Sequence, residues 1–167
     1  MNIIQVTKCD QLNGPGLRVV LWVAGCSHHC EQCHNQYSWN PDIGVPFDDK
    51  IKNEIFEELS KEWCTGITYS GGDPFFISNR EEIISLAKEI REKFPNKTQW
   101  LYTGYSWADV IEDNSMVPIL RYIDVICTGK YEYKLKDVDL EWVGSSNQQV
   151  IDVKKRFEII SKLSSNN

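Results

Sequence analysis

The sequence predicts an α/β fold: a partial (βα) barrel with a mostly parallel sheet. Three observations point there. Residues 17–24 (LRVVLWVA) form a nearly continuous apolar run rich in β-branched residues, as a strand covered on both faces does. Strand-like and helix-like stretches alternate along the rest of the chain, the pattern of βαβ units. The unusual residues fall in loops that follow the strands, and such sheets bind ligands at their carboxyl ends.

Each later element has its own signal. Residues 48–63 place Ile51, Ile55, Leu59 and Trp63 on one helical face. Residues 66–70 (GITYS) read as a short strand. Asn79, with Glu82 three residues on, reads as an N-cap for a helix carrying Ile83, Ala87, Ile90 and Phe94, stopped by Pro95-Asn96. Residues 98–103 (TQWLYT) are the next strand, 107–122 are helical in parts with a break near Pro118, and 123–127 (IDVIC) are another buried strand. Residues 149–153 supply a last one. Four or five strands are too few for a closed eight-stranded barrel. The whole chain, 1–167, reads as one domain, with 161–167 a frayed tail.

Hydrophobic residues make up 41% and charged residues 25%, which is globular composition. The net charge of −6 disfavours a phosphate backbone, so nucleic acid is not an expected partner. No signal peptide is apparent, and the longest apolar run, 19–25, is far too short to span a bilayer. A soluble, cytoplasmic protein without a membrane partner is expected.

The six cysteines, Cys9, Cys26, Cys30, Cys33, Cys64 and Cys127, are too sparse for a disulfide scaffold, and their clustering points to metal or redox chemistry. Cys26, Cys30 and Cys33 are spaced C-x3-C-x2-C. Three thiolates on one loop suit a [4Fe–4S] cluster with one iron left open. A structural zinc site is the competing reading, with His28, His29 or His34 as fourth ligand. The histidines otherwise read as exposed loop residues or as groups behind the ligands. Cys64 and Cys127 read as buried and inert. Cys9 is a ligand only if the N-terminal segment folds back to the loop.

After the second strand, Ser70-Gly71-Gly72-Asp73-Pro74 lets backbone approach a ligand closely, and Asp73 adds a negative charge that suits an α-amino group. The same residues also make an ordinary turn. The aromatic stretches 37–39 and 100–107 divide between core packing and a partner surface.

These residues resemble the radical S-adenosylmethionine superfamily, whose cluster motif is C-x3-C-x2-C. More narrowly the chain resembles the activases of anaerobic (class III) ribonucleotide reductase. The resemblance rests on Asn13-Gly14-Pro15-Gly16, the cysteine loop through Cys33-His34-Asn35, Ser70-Gly71-Gly72-Asp73-Pro74, Tyr102-Thr103-Gly104-Tyr105 and Gly144-Ser145-Ser146-Asn147-Gln148. The chain departs from the superfamily in having Gln32 where an aromatic residue often precedes the third cysteine. It has His34 where the family usually has Tyr, and Asp73 where many members have Glu. The resemblance implies a [4Fe–4S] cluster on Cys26, Cys30 and Cys33. It places S-adenosyl-L-methionine against Gln32, Cys33, His34, Gly71, Gly72 and Asp73, with Lys130 at its carboxylate or at the partner. It implies reductive cleavage of that cofactor and a glycyl radical made on the large reductase subunit. No catalytic residue is implied beyond cluster and cofactor. A donor such as flavodoxin supplies the electron.

Three other readings fit parts of the sequence: an activase of another glycyl-radical enzyme such as pyruvate formate-lyase, a radical enzyme acting on a small molecule, as in deazapurine synthesis, and a non-catalytic zinc-binding interaction domain.

Overall fold

The computed structural model describes residues 1–165, with side chains through residue 159. Seven strands form one sheet: β1 (Asn2–Asp10), β2 (Arg18–Val23), β3 (Val45–Pro46), β4 (Gly66–Gly71), β5 (Thr98–Tyr102), β6 (Val125–Thr128) and β7 (Gln149–Asp152). Their order is β3-β1-β2-β4-β5-β6-β7, so the sheet is open and ends on β3 and β7. The four central strands, β2, β4, β5 and β6, run parallel. Antiparallel strands flank them on both sides.

The expected count of four or five strands falls short by β1 and β3. β1 buries only Ile3 among its nine residues, so it has neither a continuous apolar run nor a clean alternation. β3 is two residues long. β7 joins antiparallel because only a 3₁₀ turn, Tyr133–Leu135, lies between it and β6, and a parallel return needs a full crossover.

Helix α1 (Asp49–Leu59) starts where the Asp48 carboxylate accepts from the Ile51 N–H at 2.9 Å. It buries Ile55 and Leu59 as expected but stops at Leu59, because the chain must turn to enter β4. Trp63 therefore lies beyond the helix and is 42% exposed. Helix α2 (Arg80–Lys93) buries Ile83, Leu86, Ala87 and Ile90. Asn79 precedes it, but its side chain makes no cap bond; the amide donates instead to the carbonyls of Ala24 and Asp73. Helix α3 (Trp107–Glu112) opens with a Ser106–Asp109 capping box. The chain leaves α3 at Asp113, whose carboxylate accepts from the Ser115 N–H at 2.7 Å. The break thus precedes Pro118, which sits in the first turn of a 3₁₀ helix, Val117–Arg121, where its missing N–H costs nothing. Helix α4 (Val153–Ser165) was not foreseen. Of the expected tail, 161–165 are helical in backbone and 166–167 lie outside the described residues. Among the described residues no helix is long and apolar enough to cross a membrane.

Side chains alternate across the sheet. Leu21, Val23, Ile67, Tyr69, Leu101 and Ile126 belong to one buried cluster with Ile55, Leu59, Ile83, Leu86, Ala87 and Ile90 from the helices. The opposite face carries Val20, Trp22, Thr68, Ser70, Trp100, Tyr102 and Cys127. At the amino ends of the strands Arg18 is fully buried there. It donates to Thr68 Oγ1 at 2.7 Å, the Ile67 carbonyl at 2.9 Å and the Pro15 carbonyl at 3.0 Å. Its guanidinium lies 5.4 Å from the Trp100 ring centroid. Burial pushes its pKa down to about 10, so it stays charged at neutral pH. Thr68 Oγ1 in turn donates to the Asn13 carbonyl at 2.7 Å. The segment Asn13-Gly14-Pro15-Gly16 therefore closes the far end of the sheet, away from the cysteine loop.

Removing this guanidinium strands several buried acceptors. Arg18→Ala is expected to destabilise the protein by about 3 kcal/mol in chemical denaturation. Lys88→Ala, which removes an exposed ion pair with Glu92, should stay within about 0.5 kcal/mol. Equal effects of the two substitutions would contradict this reading.

Candidate cluster and cofactor site

The carboxyl ends of β2, β4, β5 and β6 bring the four expected loops together. The loop after β2 is held at its base by backbone bonds: the Gly25 N–H donates to the Ser38 carbonyl at 2.8 Å, and the Cys26 N–H to the Trp39 carbonyl at 3.1 Å. The loop after β4 lies directly on it. The Gly72 N–H donates to the Val23 carbonyl at 2.8 Å, and the Asp73 N–H to the Gly25 carbonyl at 2.7 Å. A Cβ on Gly72 would stand 2.4 Å from the Gly25 carbonyl oxygen, so only glycine permits this contact.

Cys26, Cys30 and Cys33 are all partly buried on the first loop. Burial pushes the Cys26 thiol up to about 11 and raises the Cys30 thiol as well. Both would be protonated at neutral pH, so a metal centre binding here must displace protons. The Asn35 N–H donates to Cys33 Sγ at 3.4 Å, and the Asn35 amide donates to the Gly71 carbonyl at 3.4 Å. Among the described residues no three His, Cys, Asp or Glu side chains are placed to hold one metal ion. A cubane gives each thiolate its own iron. The donor set, three soft sulfurs on one loop, fits the cubane.

Cys9 lies on β1 at the height of β2's amino end, since its neighbour Asp10 pairs with Arg18. The N-terminal segment does fold back on the sheet, but it carries Cys9 to the end opposite the cysteine loop. Cys64 and Cys127 are buried as expected, and burial pushes the Cys127 thiol up to about 12.

Asp73 is 2% exposed, and its carboxylate is filled by protein donors. Oδ1 accepts from the Phe75 N–H at 2.7 Å, and Oδ2 from the Gly104 N–H at 2.9 Å. Thr103 Oγ1 lies 3.0 Å from both oxygens, and His28 Nε2 lies 2.7 Å from Oδ2. As the partner of a carboxylate, Nε2 carries the proton and donates. The expectation that this carboxylate itself takes the cofactor's amino group meets an acceptor already saturated. His28 is largely buried, while His29 and His34 are exposed. The His28 ring stands edge-on to Tyr105, with centroids 4.6 Å apart. It also passes so close to Gly104 that a Cβ there would lie 2.4 Å from the imidazole. Tyr105 is fixed by Arg80, which donates to its hydroxyl at 3.2 Å, to the Phe75 carbonyl at 2.7 Å and to Asp113 at 2.9 Å. Each residue of Thr103-Gly104-Tyr105 thus has a tertiary task.

Two cavities flank this knot. One, of about 560 Å³, lies on the sheet face opposite the helices. Trp22, Ser70 and Tyr102 rise into it from the strands, and Gln32, His34 and Gly71 line it from the loops. The other, of about 940 Å³, is lined by Ser27, His28, Gly104, Tyr105 and Lys130, with Asp109, Glu112 and Asp113 at its acidic side. Lys130 lines this second cavity, whereas Gln32, His34, Gly71 and Tyr131 line the first. The segment Gly144-Ser145-Ser146-Asn147-Gln148 is folded around the Gln148 amide, which donates to the Gly129 carbonyl at 2.9 Å and accepts from the Gly144 N–H at 3.0 Å. Asn147 donates to the Lys130 carbonyl at 2.8 Å, and its Oδ1 is a buried acceptor without a partner among the described residues. Sequence reasoning missed the contacts of His28, Thr103, Asn79 and Asn147. None carries a periodic signal: His28 reads as an exposed residue or a zinc ligand and Asn79 as a helix cap, while Thr103 and Asn147 lie in segments singled out without a stated contact.

Of the aromatic stretches, Trp100 and Trp107 are in the core, whereas Tyr37 is 66% exposed. Residues 12–151 match the family described as a 4Fe-4S single cluster domain. The anaerobic ribonucleoside-triphosphate reductase-activating protein of Enterobacteria phage T4 is 43% identical over 150 residues, covering 90% of this chain and 93% of that protein. The proteins of the same name from Escherichia coli K12 and Vibrio cholerae are 37% and 36% identical over 152 residues, covering 90% of this chain and 97% of each. The chain belongs to the family of anaerobic ribonucleoside-triphosphate reductase-activating proteins, and it carries a 4Fe-4S single cluster domain.

Proposed function

We propose that this protein is a radical S-adenosylmethionine activase, an oxidoreductase that generates a glycyl radical on the large subunit of an anaerobic ribonucleotide reductase. The observation that carries the reading is the packing of the loop bearing Cys26, Cys30 and Cys33 against the Gly71–Gly72 backbone, at the carboxyl ends of parallel strands. The relatives' printed names supply the reductase. A reduced [4Fe–4S] cluster on these thiolates would supply one electron to the sulfonium of S-adenosylmethionine, yielding methionine and a 5′-deoxyadenosyl radical that takes a hydrogen atom from a glycine Cα of the reductase.

The chain's own residues position and shield. Cys26, Cys30 and Cys33 hold three irons and leave the fourth open. The cavity of about 560 Å³ takes the adenosyl group, with Gln32, Cys33 and His34 at the adenine. Its apolar strand face, Trp22 and Tyr102, keeps water away from a reactive carbon. Because the Asp73 carboxylate is saturated by protein donors, we assign the amino group to the Gly71–Gly72 backbone and give Asp73 the task of holding that loop. Lys130, in the neighbouring cavity, answers the carboxylate or the partner. The open sheet, with all its parallel strands consecutive, supports reading the chain as one activase domain built on a partial barrel. Six free cysteines suit the reducing cytoplasm, where a donor such as flavodoxin supplies the electron.

Anaerobic reconstitution should load about four irons and four sulfides per chain. Dithionite and S-adenosylmethionine should then release 5′-deoxyadenosine, and Cys30→Ala should abolish both. Zinc bound at one per chain, with no deoxyadenosine formed, would overturn the proposal. Gly72→Ala should keep its iron yet bind S-adenosylmethionine at least about tenfold more weakly, because the added Cβ parts the two loops. Unchanged affinity in equilibrium binding would contradict the role given to this contact.

A further inference from the structure

His28 lies inside the C-x3-C half of the motif, two residues from each of two thiolates, and its side chain is 8% exposed. It does not face the cysteines' solvent side. It turns under the loop, donates to Asp73 Oδ2 at 2.7 Å, packs edge-on against Tyr105 and fills the space that Gly104 leaves open. His29, between the buried histidine and Cys30, takes a positive φ of 48°, a left-handed turn in the backbone. Asp73 carries the other side of the junction: its N–H donates to the Gly25 carbonyl, and its carboxylate reaches the loop after β5 through Thr103 and the Gly104 N–H. The cysteine loop is thus tied to the glycine loop at both ends of one carboxylate residue, by backbone at Gly25 and by side chain at His28.

We propose that His28 is a positioning residue, whose hydrogen bond to Asp73 sets the distance between the cluster-bearing loop and the Gly71–Gly72 backbone so that both engage one S-adenosylmethionine molecule. The inference rests on the reading of Cys26, Cys30 and Cys33 as cluster ligands. It separates two tasks within one loop: the cysteines hold the cluster, and His28 sets where the cluster stands relative to the cofactor's amino end. A cofactor gripped at two points loses affinity when the spacing between them is no longer held, even though each point survives.

The test uses the full chain with its cluster reconstituted anaerobically, and S-adenosylmethionine as the probe. His28→Leu keeps bulk and removes the donor. His28→Gln places an amide N–H at about the reach of Nε2. Iron and sulfide content and the electron paramagnetic resonance spectrum of the reduced protein are recorded with and without S-adenosylmethionine. His28→Leu should retain its iron, bind S-adenosylmethionine about tenfold more weakly by titration of the spectral change, and show a raised KM with a smaller change in kcat for deoxyadenosine formation. His28→Gln should recover most of the affinity. Wild-type affinity in His28→Leu would overturn the inference, as would equal losses in both variants, which would assign the effect to ring packing. Loss of iron from both variants would also overturn it, by making His28 a ligand. If the wild type itself takes up no cluster, the failure belongs to the reading of the cysteines and not to His28.

Discussion

Asp73 is a carboxylate buried at the meeting point of three loops, and that burial is stable only because its lone pairs are filled. The need for donors determines what surrounds it. Phe75 supplies an N–H from the next turn, Gly104 supplies one from the loop after β5, Thr103 adds a hydroxyl, and His28 reaches in from the cysteine loop. Asn79, freed from capping α2, clamps the Asp73 carbonyl to that of Ala24. Three strand-end loops are therefore held by one residue. Arg18 plays the matching part at the other end of the sheet, a buried cation whose partners are the Pro15 carbonyl of the closing segment and the Ile67 carbonyl and Thr68 hydroxyl of β4.

This arrangement leaves the reacting region with a simple division of labour. The strands offer a rigid floor of parallel backbone, the saturated Asp73 knot fixes the loops upon it, and the cysteines are carried on top of that knot. The cysteine loop contributes to both cavities, Gln32 and His34 to the one against the sheet face and Ser27 and His28 to the acidic one that Lys130 also lines.

The central parallel strands and the buried faces of α1 and α2 were legible because burial on both sides writes apolar runs and 3.6-residue spacing directly into the sequence. β1 was not, since a flanking strand half open to solvent has no such constraint, and α4 likewise buries only Val153 among its residues with described side chains. The C-x3-C-x2-C spacing was legible because it is local. The knot was not: His28, Asp73, Thr103 and Gly104 come from three loops up to 76 residues apart, and nothing in the neighbourhood of His28 marks it as buried while His29 is exposed. Asp73 was noticed for its charge, but only the fold reveals that this charge is already spent on protein donors.

The most direct test of the account is electron paramagnetic resonance of the anaerobic reductase large subunit, incubated with the reduced holoprotein and S-adenosylmethionine. The account predicts a glycine-centred radical on the large subunit that appears only when all components are present and fails to form with the Cys30→Ala variant. Deoxyadenosine released in full without any radical on that subunit would contradict it.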